Sequence, residues 1–305
     1  MASYTYPVAA PQGTLTTAQI HLLLQSPQMI AKRVADLTKM RFIADYLLAG
    51  RYSALGGGIF YETGEQIFAA DSPEAVAPGA EYPKTVLTQG EIAAAKTVKW
   101  GVETDITDEK ISQQGIAIVN KALVRLSNTV VRHVDGVAMS VIASKINTTF
   151  ATPSPWTTAG KVIEALTSIS GQRADAGTGL DLSTVVLKPA QYAKLIGMLV
   201  DDKAMPREAG NIAITGNIPV DALGFTWVTS PFYSGSDPLL IDRDQLGGVA
   251  DEKLGSPGYA TVAGSGVETK AERHRDDKWE LRARRVVVPV VTEPLAGVRL
   301  TNTGL

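Results

Sequence analysis

Three histidines, His21, His133 and His274, are the side chains of this 305-residue chain best suited to bind a metal or move a proton near neutral pH. None sits in an H-E-x-x-H or comparable metal-ligand spacing. His133 follows Arg132 inside a long helical pattern, which suits a helix surface better than a ligand set. Cysteine is absent, which excludes disulfides, thiolate nucleophiles and Cys-ligated zinc together. Gly264-Ser265-Gly266 is too short for a nucleophile elbow. Gly177-Thr178-Gly179 lacks the third glycine of a dinucleotide fingerprint, because position 182 is Leu. Gly56-Gly57-Gly58 has the composition of a phosphate cradle, but no helical pattern follows to supply a dipole, so it reads as a hinge. The carboxylate pairs Asp201-Asp202 and Asp276-Asp277 fall in turn contexts, where Asp is common. These residues point to no enzyme, no cofactor and no metal.

The bulk numbers are those of an ordinary globular protein. Hydrophobic residues make up 45%, enough for a substantial core in one large domain or two smaller ones. The net charge of -2 gives no general attraction to nucleic acid or membrane. The first residues, MASYTYPVAAPQGTL, lack a basic segment followed by an apolar core, so no signal peptide is expected. The longest strongly apolar run, 286–291, contains Pro289 and is far short of the ~20 residues that span a bilayer. Charge is uneven along the chain. Residues 1–60 hold five bases (Lys32, Arg33, Lys39, Arg41, Arg51) against two acids, a net of +3; residues 61–120 hold ten acids against four bases, a net of -6.

The elements that would position these residues follow from periodicity. Residues 1–14 show no period and read as a flexible arm. A short helix is expected over 15–25, and Ser26-Pro27 begins another, with Ile30, Val34 and Leu37 on one stripe. The stretch 56–90 is rich in Gly and Pro, yet carries the strand-like pieces Ile59-Phe60-Tyr61 and Gln66-Ile67-Phe68-Ala69. An isolated two-stranded hairpin is marginal in water, so these side chains need a surface to pack on. Val98, Trp100 and Val102 alternate with polar residues over 91–105, the pattern of a strand with one buried face. Ile116, Val119, Leu123, Leu126, Val130, Val134, Val137 and Val141 step by three and four, which predicts one helix over 108–146, ~57 Å long at 1.5 Å per residue. Helices KVIEALTSI and AQYAKLIGML then alternate with strands STVVL, TWV and LLI, an α/β module over 151–265. Beyond it the chain reads as strand: 267–275, a turn at Asp276-Asp277, then Trp279, Leu281 and Ala283 facing one way and charged residues the other. These strands need partners, and the strand at 94–104 is the obvious one.

This order, a basic helical arm, a long hairpin, a strand, a spine helix, an α/β module and returning strands, resembles the major capsid proteins of tailed double-stranded DNA phages, the Hong Kong phage fold shared with encapsulins. The resemblance covers nearly the whole chain. STVVLKPAQYAKLIGML is similar to that family's strand-Pro-helix in the axial domain, and LGFTWVTSPF with DPLLIDRDQLGGV to its later axial strands. RRVVVPVVTEPLAGVRLTN is similar to the closing strand of its peripheral domain.

The resemblance implies an α+β phage major-capsid fold. Its parts would be an N-terminal arm (1–55), an extended β-hairpin loop (56–90), a peripheral domain with the spine helix and antiparallel strands (91–150), an α/β axial domain (151–265) and returning peripheral strands (266–305). It implies a structural protein that self-assembles into hexamers and pentamers of an icosahedral capsid shell enclosing double-stranded DNA. Ile59, Phe60, Tyr61, Ile67, Phe68 and Tyr82 would make intersubunit contacts. Lys32, Arg33, Lys39, Arg41 and Arg51 would meet DNA phosphates or a neighbour on the inner face. Expected partners are further copies of itself, a portal, decoration proteins and the packaged DNA, with no membrane. Met1 stands almost at the arm, so a separate scaffold protein is expected too. The place would be the virion, after assembly in the host cytoplasm. No Lys lies between Ile59 and Tyr82, so the Lys–Asn isopeptide crosslink of some members is not expected. An encapsulin-type nanocompartment shell is the alternative. An α/β hydrolase is a remote one, needing a nucleophile–base pair that the sequence lacks. An adaptor that oligomerises through the spine helix is the third.

Overall fold

A computed structural model describes residues 15–37, 42–64, 74–85, 90–202, 224–263 and 265–305. In chain order its helices are α1 (Thr17–Leu24), α2 (Pro27–Leu37), α3 (Ala44–Leu47), α4 (Asp108–Gln114), α5 (Ile116–Lys145), α6 (Ala159–Asp175) and α7 (Pro189–Asp201). Its strands are β1 (Gly50–Ser53), β2 (Gly58–Thr63), β3 (Glu91–Lys96), β4 (Val98–Thr107), β5 (Thr149–Ala151), β6 (Thr184–Leu187) and β7 (Thr226–Thr229). The later ones are β8 (Leu239–Ile241), β9 (Gly247–Asp251), β10 (Ala260–Thr261), β11 (Glu268–Arg273), β12 (Lys278–Val291) and β13 (Gly297–Thr301). The chain forms two compact units, one of residues 1–41, 99–131 and 254–285, the other of residues 42–98, 132–253 and 286–305.

In the first unit, Thr16 and Gln19 form a capping box that starts α1. Pro27 opens α2, as Ser26-Pro27 predicts. Ile20, Leu24 and Ile30 are fully buried, and α2 packs on β10 and β11. The part of the expected arm at 15–37 is therefore a pair of packed helices, held by its apolar stripe. The expected free arm at 1–14 lies outside the described residues. Strands β11 and β12 pair antiparallel from Glu268↔Arg284 to Arg273↔Trp279, and β4 pairs with β12. Trp279, Leu281 and Ala283 are buried, as their alternation predicts. The charged side chains between them form cross-strand pairs: Arg282 with Glu103 at 3.0 Å and Lys278 with Asp105 at 2.8 Å. Arg273 binds both oxygens of Asp108, at 2.5 and 2.6 Å. The hydrogen bond from Lys278 holds the Asp105 carboxyl below the usual range, and Arg273 does the same for Asp108.

The predicted 38-residue helix is two helices. Gly115 adopts φ 60°, a left-handed conformation natural only to glycine, and ends α4. The remaining α5 has 30 residues, about 45 Å. Val119, Leu123, Leu126, Val130 and Val134 are buried as expected; beyond them Ala138, Met139 and Ile142 are buried, while Val137 and Val141 are half-buried.

The second unit holds a five-stranded sheet in the order β5-β13-β8-β6-β7, with β6 parallel to β7 and antiparallel to β8. All four side chains of β6 are buried, among them Val185 and Leu187 in a core with Val162 and Leu166 of α6 and Leu195 of α7. Strand β13, expected with the peripheral strands, instead pairs with β5 and β8. It is held there by Arg299, whose guanidinium donates to the carbonyls of Ala143 and Ile146 at the end of α5, 2.9 and 3.4 Å away. Strand β9, read within the α/β module, pairs with β1 and with residues 287–291 of β12.

Candidate functional site

The long hairpin begins at the triple glycine. Gly56 (φ 66°) and Gly57 (φ 89°) turn the chain through the left-handed region. Gly58 starts β2, which pairs antiparallel with β3 from Gly58↔Lys96 to Thr63↔Glu91. The strand-like piece Gln66–Ala69 lies outside the described residues. The partner of β2 is Glu91–Lys96, so the hairpin runs past the expected boundary at 90. Ile67 and Phe68 lie outside the described residues.

Three hydrogen bonds lock the root. The Gly57 amide donates to Glu252 Oε1 at 3.0 Å, and the Thr97 hydroxyl donates to Glu252 Oε2 at 2.5 Å. The Thr97 amide donates to the Gly57 carbonyl at 3.0 Å. Further along, the Gly64 amide donates to the Thr292 carbonyl at 3.2 Å.

The strand period sorts the hairpin's side chains onto two faces. Ile59, Tyr61, Ala93 and Ala95 share the half-buried face. Phe60, Glu62, Ile92 and Ala94 share the other, where Phe60 is 80% and Ile92 72% exposed. Residues 74–85 continue the exposure, with Tyr82 at 82%. Phe60 and Ile92 are thus large apolar side chains exposed on one face of a two-stranded sheet. Of the residues read as contacts, Phe60 and Tyr82 lie open to solvent, while Ile59 and Tyr61 are half-buried within their own chain.

The basic set divides. Arg33 Nε donates to Asn120 Oδ1 at 2.6 Å. Arg51 donates to the Asp45 carbonyl at 2.6 Å and pairs with its carboxylate at 3.3 Å. Lys32 is exposed, and Lys39 and Arg41 lie outside the described residues. The histidines have structural partners. His21 Nδ1 accepts from Trp279 Nε1 at 2.9 Å, and His274 Nε2 lies 2.7 Å from the Glu280 carboxylate. Among the described residues no group of His, Asp or Glu is arranged to hold a metal, and no helix is long and apolar enough to cross a membrane.

Sequence reasoning missed Thr97, Ile92 and Glu252. Ile92 sits in EIAAAK, whose alanines carry no strand signature. Nothing local links Glu252 to a glycine 195 positions earlier.

The family model for phage capsid proteins matches residues 90–300, more than two thirds of the chain. No curated protein matches. Several solved structures share the fold. The capsid structure of the cyanophage P-SCSP1u is 13% identical, with 98% of this chain and 92% of that chain covered and a TM-score of 0.56. A phage-related protein from Bordetella bronchiseptica RB50 is 13% identical, with coverages of 92% and 98% and a TM-score of 0.56. The virus-like particle from Pyrococcus furiosus is 11% identical, with coverages of 89% and 97% and a TM-score of 0.55.

Proposed function

The chain belongs to the phage capsid protein family and has the α+β fold of tailed-phage major capsid proteins, and from that premise we propose that its hairpin builds the shell by lying on a neighbouring subunit. Its role is structural, as a subunit of a virion capsid. The observation that carries the reading is the open face of the hairpin, with Phe60, Ile92 and Tyr82 exposed in the single chain. Burying each on a neighbour contributes about 1.5–3 kcal/mol, and the gain is repeated at every subunit of a closed shell. The subunits form hexamers and pentamers of an icosahedral shell around double-stranded DNA, assembled in the host cytoplasm with a separate scaffold, a portal and decoration proteins. The subunit itself performs no catalysis. Contact with DNA is non-specific and salt-dependent. The family match favours a virion shell over a cellular nanocompartment.

Negative-stain electron microscopy of purified Phe60→Asp/Ile92→Asp protein tests this. Both side chains are exposed, so the subunit stays folded, and closed shells are lost under conditions in which the unaltered chain forms them. Shells of normal size and yield from the variant would refute the hairpin's role.

A further inference from the structure

The indole of Trp279 on β12 is buried, and its Nε1 donates to Nδ1 of His21 on α1 at 2.9 Å. The two rings lie 6.1 Å apart, tilted by 33°. An indole nitrogen only donates, so His21 Nδ1 is the bare, accepting nitrogen and the imidazole proton sits on Nε2. The bond therefore forms with the neutral ring alone. An imidazolium donates at both nitrogens, so protonation would set two N–H groups against each other and strand a buried indole proton.

The charges around the pair do not decide its protonation state by themselves. His21 is the one titratable side chain of α1, and it lies in the last turn, where the helix dipole favours a cation. The helices packed on α1 are α2 and α4. α2 carries Lys32, Arg33 and Asp36, with Arg33 bonded to Asn120. α4 carries Glu109, Lys110 and Asp108; the Asp108 carboxyl is held low first by Arg273 and in smaller part by the charge on His21. Arg273 of β11 also stands 5.6 Å from the centre of the Trp279 ring, so a cation and its carboxylate flank the pair together. Beside Trp279 on β12, Lys278 binds Asp105 and Glu280 faces His274. The dipole thus favours the charged ring, while the bond to Trp279 requires the neutral one. His274 responds with the opposite sign: its Nε2 lies 2.7 Å from the Glu280 carboxylate, a contact that protonation strengthens.

We propose that the His21–Trp279 contact is a pH-sensitive latch, which fastens α1 to the sheet of the first unit at neutral pH and lets it loosen in acid. The latch acts within one subunit and does not rest on the role of the hairpin. Hydrogen exchange of the full-length subunit, read by mass spectrometry over 17–24 at pH ~7.5 and ~5.5 and corrected for the intrinsic pH dependence of exchange, tests it. The unaltered chain is expected to lose protection there about tenfold at the lower pH. In His21→Asn the amide oxygen takes the place of Nδ1 and does not titrate, so protection should stay high at both pH values. Trp279→Phe keeps a buried ring without the donor and should exchange fast at both; it also serves if His21→Asn does not fold. His274→Asn should leave the step in place. No step in the unaltered chain, or a step that persists in His21→Asn or Trp279→Phe, would overturn the latch. A step abolished by His274→Asn would also overturn it, by assigning the response to the Glu280 contact.

Discussion

The Thr97 hydroxyl donates to the Glu252 carboxylate at 2.5 Å, while the other oxygen of that carboxylate accepts from the Gly57 amide at 3.0 Å. One side chain, just after β9, thus ties both ends of the hairpin together. Glu252→Ala leaves both donors without this partner and is expected to cost about 1–2 kcal/mol at this half-buried site. Hydrogen exchange is the check: the amides of Gly57 and of 58–63 should exchange faster, and those of β6 should not change. Unaltered protection at Gly57 would contradict the anchoring role.

Asp135 is fully buried on α5 and accepts from the amides of Ile43 and Ala44 at 3.2 and 3.1 Å, where α3 begins. Asp135→Ala strands two amide donors in the interior and is expected to destabilise by roughly 2–4 kcal/mol. Asp135→Asn keeps one acceptor oxygen and should lose less. Urea denaturation of the two variants measures the difference.

Gly247 sits at φ 153°, and a Cβ there would stand 2.3 Å from the Val290 carbonyl oxygen. Val290 is paired in β12, so the obstacle is backbone and does not rotate away. Gly247→Ala is expected to lower stability by roughly 2–3 kcal/mol through forced movement of β9 from β12, seen as a lower urea midpoint. Gly136→Ala meets open space and serves as the control, near neutral or slightly stabilising.

Burial pushes the Tyr233 phenol up to about 12, with the Asp237 carboxylate adding to the rise and Arg299 opposing it. Its hydroxyl donates to the Asp237 carbonyl at 2.5 Å. The folded state keeps this proton at a pH where the unfolded chain has lost it. The contribution is therefore complete below pH ~10 and declines as pH rises from ~10 through ~12, by up to roughly 2–3 kcal/mol. Ultraviolet titration should show one of the nine tyrosines ionising late, and Tyr233→Phe should remove both the late step and this part of the alkaline loss.

Where a pattern was local, the sequence disclosed the fold. Trp279, Leu281 and Ala283 are buried because they alternate, and a helix starts at Pro27 because proline suits the first helical position. STVVL becomes the fully buried β6 because its β-branched side chains suit a strand packed on both faces. Non-local pairings were hidden. The strand over 91–105 was legible, but its division at Thr97 and the pairing of Glu91–Lys96 with β2 were not. Gly297–Thr301 gives no hint that it joins β5 and β8, partners remote in sequence. Gly115 reads as a weak residue within one helix, and its positive φ makes it a helix end. At the candidate site, Phe60 and Tyr82 were legible as apolar residues without cover. Ile92, Thr97 and Glu252 became visible only through contacts remote in sequence.

The most direct test of the account is a cryo-electron microscopy reconstruction of assembled particles, read at Phe60, Ile92 and Tyr82. The account predicts that the hairpin crosses to a neighbouring subunit and that all three side chains are buried against that second copy. A shell in which the hairpin folds back on its own subunit, or leaves these three side chains in solvent, would contradict it.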